Sequence, residues 1–253
     1  MNAASSPNDA PPDVPETASR RTAAPAAVPS VPRGEPAIGG IVPYSSVDWP
    51  GMLAAVVFIS GCPWRCSYCH NPHLQRRSGH YDWKAVLEFL NGRRGLLDAV
   101  VFSGGEPLSE PRLPQMVRAV RALGFRVALH TAGIYPSRLH DLLAHLDWVG
   151  FDVKADAAGH DALTGRPDTY AATQACLESL LASGIPFECR TTWSPRWLTE
   201  PALVDLARDL ARRGVRHYAV QNHRASPEAP PSAVLSATTL AELQALFSCF
   251  AYR

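Results

Sequence analysis

Cys62, Cys66 and Cys69 lie within eight residues of one another, in the run GCPWRCSYCHN, and form a C-x3-C-x2-C pattern. Free cysteines are often ordinary core residues, but three together beside Pro63, Arg65 and His70 do not read as packing. Zinc is a second use, with His70 as a fourth ligand. Structural zinc sites usually split their ligands into two separated pairs, and adjacent Cys69 and His70 would strain the tetrahedron. Cys66-Ser67-Tyr68-Cys69-His70 also fits the C-x-x-C-H of covalent haem attachment. That chemistry accompanies export and leaves Cys62 without a role. An iron–sulfur cube takes four ligands; three closely spaced thiolates would hold three corners and leave one iron open. Cys176, Cys189 and Cys249 are too distant in sequence to complete the set and are assigned to packing. An open iron suits catalysis better than simple electron carriage.

Composition narrows the setting. The 253 residues are 46% hydrophobic and 19% charged, which excludes a disordered chain. With 24 Lys and Arg against 23 Asp and Glu, the formal charge of +1 predicts no nucleic-acid or membrane partner. Six cysteines are too few for a disulfide scaffold. Residues 1–36 hold eight prolines and eight alanines and no aromatic residue, and read as a flexible tail. Arg20-Arg21 invites a twin-arginine export reading, but Pro25, Pro29 and Pro32 interrupt any apolar run behind it. A cytoplasmic protein is expected, with one domain over residues 37–253.

The cysteines need elements to hold them. Short apolar or β-branched runs at 53–59, 98–103, 125–130, 147–153, 186–192 and 215–221 read as strands. Helical periodicity separates them at 82–94, 111–123, 136–146, 168–184 and 199–213, with a last helix expected at 236–250. Six βα units predict a parallel sheet covered by helices. Six fall short of the eight of a closed barrel. The expected fold is therefore α/β, an open, partial TIM-type barrel; a flat doubly wound sheet is the alternative.

Such folds bind ligands beyond the carboxyl ends of their strands. The unusual residues gather there: the cysteines after 53–59, Ser103-Gly104-Gly105-Glu106 after 98–103, and His130-Thr131 after 125–130. Asp152 and Lys154 close the next strand, Arg190 lies within 186–192, and Gln221-Asn222-His223 follow the last.

The cysteine triplet with Tyr68 before its last member, followed at the next strand end by Gly-Gly-Glu, resembles the radical S-adenosylmethionine superfamily. The stretches VDWPGMLAAVVFISGCPWRCSYCHNP, VVFSGGEPL, ALHTAGIYP, WVGFDVKA and ECRTT resemble the activating enzymes of glycyl radical enzymes. Among these they are most similar to the activators of anaerobic (class III) ribonucleoside-triphosphate reductase. The resemblance spans roughly residues 38–223. It implies a [4Fe–4S] cluster on Cys62, Cys66 and Cys69, with S-adenosylmethionine bound at the open iron. It further implies one-electron cleavage of the sulfonium, and hydrogen abstraction from a glycine Cα of the partner reductase. The electron would come from a donor such as flavodoxin or ferredoxin. About thirty residues follow the last strand, too few for a separate substrate domain, so a protein partner is expected to complete the barrel mouth.

The resemblance also implies cofactor-binding roles for Tyr68, Gly104, Gly105, Glu106, Thr131, Asp152, Lys154 and Arg190. Gly104 to Glu106 would hold the methionyl amino group; a capping carboxylate at a strand-to-helix turn is the simpler reading of Glu106. In the pyruvate formate-lyase activating enzyme the third-strand motif is Asp-Thr-Asn-Gly, where this chain has His130-Thr131-Ala132-Gly133. The carboxylate and amide of that relative's monovalent-cation site are thus absent. Asp152-Val153-Lys154 matches the family's Asp-x-Lys, and Arg190 would reach ribose or carboxylate; ion pairing, Arg190 with Glu188, is the plainer alternative. His130 and His223 read as structural. The segment Ile41 to Gly51 is expected to face the partner.

Overall fold

The computed structural model describes residues 34–224 and 229–253; nearly all of the expected tail lies outside them. Eight strands form one sheet in chain order. They are β1 (Ile38–Ser45), β2 (Ala54–Ile59), β3 (Ala99–Gly104), β4 (Arg126–Thr131), β5 (Trp148–Asp152), β6 (Phe187–Trp193), β7 (His217–Asn222) and β8 (Cys249–Tyr252). The helices are α1 (Trp83–Asn91), α2 (Leu113–Ala122), α3 (Pro136–Leu143), α4 (His160–Thr164), α5 (Tyr170–Ser183), α6 (Glu200–Arg212) and α7 (Ala237–Leu246). β2 to β8 pair in parallel, and β1 and β8 are the two edges, so the barrel is open as expected.

Three elements differ from expectation. β1 runs antiparallel to β2, with irregular register at Ile38/Gly40 and Val42/Ser45. Its sequence, IGGIVPYS, hides the strand: two glycines break the alternation, and Pro43 is tolerated because an edge needs no continuous ladder. Cys249 belongs to β8 rather than to a helix, because the chain turns extended at Phe247 after α7; Cys249 is exposed, not packed. The short α4 falls in a stretch read as loop.

Alternation along the strands divides the core in two. Ala55, Val57, Ile59, Val100, Phe102, Val127, Leu129, Val149 and Phe151 belong to the large core that also contains the buried helix residues. Ala54, Val56, Ala99, Val101 and Ala128 form a second cluster with Trp49 and Trp148. Small residues on that face leave a lumen, and the two indoles fill its lower part, stacked with centroids 5.8 Å apart. Trp49 is only 6% exposed. Trp49 therefore plugs the lumen under the site, while Tyr44 and Val47 of the Ile41 to Gly51 segment stay exposed, at 69% and 74%. Asp82, Thr199 and Ser236 cap α1, α6 and α7, and Gly184 ends α5 in the left-handed conformation. Among the described residues no helix is long and apolar enough to cross a membrane.

Candidate active site

A cavity of about 330 Å³ opens at the carboxyl ends of the parallel strands. Cys62, Cys66 and Cys69 line it, together with Tyr68, Gly104, Gly105, Thr131, Asp152, Lys154 and Arg190. Every residue predicted for the site from sequence therefore meets in one place, except Glu106. The backbone explains the closeness of the first two loops. Gly105 N–H donates to the Ile59 carbonyl and Glu106 N–H to that of Gly61, extending the β2–β3 ladder past both strands. Gly104 sits at φ +127, and a Cβ there would fall on the Ile59 carbonyl oxygen. Cys62 N–H donates to Gln75, which ties the start of the cysteine loop to the turn that follows it.

Glu106 lies behind the wall, 1% exposed. Its Oε1 accepts from Leu108 N–H at 3.0 Å and from the Thr131 hydroxyl at 2.7 Å, and its Oε2 accepts from Ala132 N–H at 3.0 Å. It is thus the capping carboxylate of the plainer reading, and it also fixes the β4 loop to the β3 loop. Burial pushes its pKa up to about 7 against the pull of Thr131, Leu108 and Ala132.

The other charged groups are paired and face the cavity at once. Lys154 Nζ stands 3.4 Å from Asp152 Oδ2 and 5.5 Å from the Tyr68 ring centre. Burial works against its ammonium charge, but Tyr68, Asp152 and Cys66 outweigh it and hold the pKa well above the usual lysine range. Arg190 donates from Nε to Glu188 at 3.0 Å and from one Nη to the Asp48 carbonyl at 3.2 Å. Its guanidinium lies 5.0 Å from the Trp148 ring centre. Gly150 makes room for it, since a Cβ there would approach the guanidinium carbon to 2.6 Å. Arg253 adds a second guanidinium to Glu188 at 2.7 Å.

The lining holds more than the predicted cofactor-binding residues. His130, read as structural, lines the cavity; its Nε2 lies 2.8 Å from the Asp48 carbonyl and 3.1 Å from Arg190. Burial, then the Arg190 charge, holds its pKa well below 6.5, so the ring is neutral. Asp48, Ser103, Thr192 and Gln221 also line it. Ser103 and Gln221 belong to the strand ends singled out from sequence, and period-2 spacing puts Thr192 on the face of Arg190; nothing local marks Asp48. His223, itself outside the lining, stacks at 5.3 Å on His70, which belongs to it. Cys176 and Cys189 are buried in the large core as expected.

The donor set fits the implied group. Three thiols lining one cavity are the soft ligands that an iron–sulfur cluster takes. Burial raises Cys62 to about 11 and raises Cys66 as well, so neither thiolate forms cheaply without a cation. Ligation supplies that charge. Ammonium, guanidinium, carboxylate and hydroxyl groups surround the rest of the cavity, suited to a zwitterionic ligand.

Comparison with known proteins agrees. Residues 56–193 match the Radical SAM superfamily. A protein of Methanocaldococcus jannaschii carrying the provisional name of a glycyl-radical enzyme activating enzyme is 31% identical over 202 residues, 73% of this chain and 78% of that one. The pyruvate formate-lyase-activating enzyme of Clostridium pasteurianum is 36% identical over 128 residues, so the chain spans 53% of its length. In fold, a radical SAM methyltransferase from Sphaerobacter thermophilus superposes with a TM-score of 0.60 at 16% identity, over 80% of this chain and 68% of that one. The chain belongs to the radical SAM superfamily, whose members use a [4Fe–4S] cluster and S-adenosylmethionine, and it stands in the company of the glycyl-radical enzyme activating enzymes.

Proposed function

We propose that this protein generates a glycyl radical on anaerobic ribonucleoside-triphosphate reductase. The observation that carries the radical chemistry is the single cavity joining three thiols to the ends of β3, β4, β5 and β6. The resemblance of the motif stretches supports the choice of reductase. Cys62, Cys66 and Cys69 would hold the cluster, which would supply the electron for reductive cleavage of S-adenosylmethionine and so the radical chemistry directed at the target glycine. The chain's own groups bind and orient. Gly104 and Gly105 let backbone approach the methionyl end, Asp152 and Lys154 offer opposite charges to its amino and carboxylate groups, and Arg190 forms a fixed floor. Thr131 is held by Glu106 rather than free to turn. The Trp49–Trp148 plug closes the lumen below, which keeps water from the reacting centre. A cytoplasmic setting and a flavodoxin or ferredoxin donor belong to the same proposal.

The test is anaerobic reconstitution with iron and sulfide, then dithionite and S-adenosylmethionine. 5′-Deoxyadenosine is the expected product. Addition of the candidate reductase should give a glycyl radical signal by electron paramagnetic resonance. A fully loaded protein that leaves S-adenosylmethionine intact would refute the radical chemistry. The match to pyruvate formate-lyase-activating enzymes favours a second reading, another glycyl radical enzyme as target. Deoxyadenosine formation with a radical on that enzyme, and none on the reductase, would select it.

A further inference from the structure

An electron has to enter this site by a route other than its mouth. On the reading above the mouth admits the target glycine, and a radical formed before that glycine is in place would take hydrogen from elsewhere. The donor therefore needs a second surface close to the thiols, and the cysteine loop supplies one. Cys62, Trp64, Cys66 and Tyr68 line the cavity, whereas Arg65 and Ser67 between them are exposed and stand outside the lining. One stretch of chain thus has the thiols on its inner side and solvent on its outer side. α4 backs it, accepting the Arg65 N–H at Thr164 (2.8 Å) and the Ser67 N–H at Leu163 (3.1 Å). Gly165 and Arg166 follow α4 and are exposed as well.

The outer side carries guanidinium groups. Arg65 Nη1 donates to the Cys62 carbonyl at 2.6 Å and to that of Trp64 at 2.7 Å. Arg166 Nε donates to the intervening Pro63 carbonyl at 3.0 Å. Two cations from separate segments therefore sit on three successive carbonyls, the first of them belonging to a cysteine of the triplet. Each keeps further N–H donors for another partner. Elsewhere on the surface arginines are matched by carboxylates, Arg77 by Glu110 and Arg121 by Asp147. Arg65 and Arg166 form no ion pair among the described residues, only these carbonyl contacts. From Cys62 to Tyr81 the chain holds Arg65, Arg76 and Arg77 and no Asp or Glu. In the α4 segment Asp156 accepts from Gly159 N–H, and Asp161 from the Thr169 hydroxyl and the Asp168 and Thr169 amides. That leaves Asp168 as the segment's opposing charge. On a chain of formal charge +1, positive charge is concentrated over the thiols.

We propose that the outer face of the cysteine loop, centred on Arg65 and Arg166, is the docking surface for an acidic protein that carries one electron at a time. This rests on the radical reading above. Complementary charge steers such a donor to the wall nearest the thiols and leaves the mouth to the glycyl radical enzyme. The transfer moves one electron from the donor's reduced centre to the cluster, and no bond forms or breaks.

The test is titration calorimetry of cluster-free protein with an acidic flavodoxin, its flavin oxidised, at about 0.05 M and about 0.5 M salt. The parent should bind at low salt and lose affinity at high salt. Arg65→Glu combined with Arg166→Glu should weaken low-salt binding by about tenfold or more. Arg65→Lys with Arg166→Lys should recover most of it, because the charge is kept. Arg216→Glu, exposed just before β7 at the opposite end of the sheet, should leave it unchanged. In reconstituted protein, reduction by reduced flavodoxin should slow in the double reversal, while reduction by dithionite keeps the parent rate. If the reversal does not fold by circular dichroism, Arg65→Gln with Arg166→Gln carries the same test. Parental affinity in the folded double variant, no binding by the parent, or binding indifferent to salt would each overturn the docking surface. Equally tight, Arg65-dependent binding of a short RNA duplex would overturn the choice of a redox protein. A parent that takes up no iron and sulfide would refute the cluster reading and this role together, even where flavodoxin binds. Failure of the docking surface alone shows as normal loading with parental affinity in the double reversal.

Discussion

Replacing Glu106 by Gln tests whether burial or hydrogen bonding governs the carboxylate beneath the site. Glu106 has an ordinary value of 4.5 and a folded value of about 7. The folded state therefore binds the proton more tightly than the unfolded chain does. Stability then falls as pH rises from about 4.5 to about 7 and is flat above that. The full gap corresponds to about 3 kcal/mol, of which about 2–3 kcal/mol falls between pH 5 and pH 8. The substituted side chain cannot titrate, but its amide must present an N–H₂ group where the carboxylate had only acceptors. If its oxygen keeps the Leu108 and Thr131 bonds, the Ala132 N–H loses its acceptor, a constant cost of about 1–3 kcal/mol. The assay is urea unfolding of cluster-free protein under reductant at pH 5, 6, 7 and 8, followed by tryptophan fluorescence. His70, His130 and His160, whose values burial depresses, titrate alike in both proteins and cancel in the difference. The parent should be the more stable at pH 5 and lose about 2–3 kcal/mol relative to Glu106→Gln by pH 8. Parallel pH profiles would refute the reasoning, because they would mean that Thr131, Leu108 and Ala132 fully offset the burial.

Trp49→Ala removes half of the lumen stack and should cost about 3–5 kcal/mol in denaturant unfolding; a loss below about 1 kcal/mol would argue that the plug is not packed. Gly104→Ala should abolish folded protein by circular dichroism, since its Cβ has no space beside Ile59. Gly51→Ala, also at positive φ but with nothing within 4 Å, should cost only about 1–2 kcal/mol. Cys66→Ala should prevent retention of a full complement of iron and sulfide, whereas Cys176→Ala, buried in the large core, should retain it; the reverse result would overturn the ligand assignment.

The ligand triplet and the strand-end residues were legible because both rest on local rules. Cysteine spacing is a sequence property, and period-2 apolar runs bounded by helical ones locate parallel strand ends to within a residue or two. The expected strand at 98–103 is Ala99–Gly104, and that at 186–192 is Phe187–Trp193. β1 was illegible for an equally local reason. Its glycines and Pro43 carry no alternation, and its pairing with β2 is a long-range event. Cys249 was misplaced because α7 and β8 are separated by two residues with no breaker between them.

What the sequence by itself determined is the chemistry: three thiols, a glycine-rich turn, and a set of charged groups at the ends of successive parallel strands. Only the tertiary structure decided how those groups are used. It withdrew Glu106 behind the wall and brought His130 and Asp48 into the cavity lining. It sent Trp49 into the lumen, and it laid α4 against the cysteine loop. The physical reason is common to all four. Spacing along the chain says which face of an element a residue takes, but not what stands opposite. Burial, pairing and shifted protonation come from that opposite group, and the fold alone supplies it.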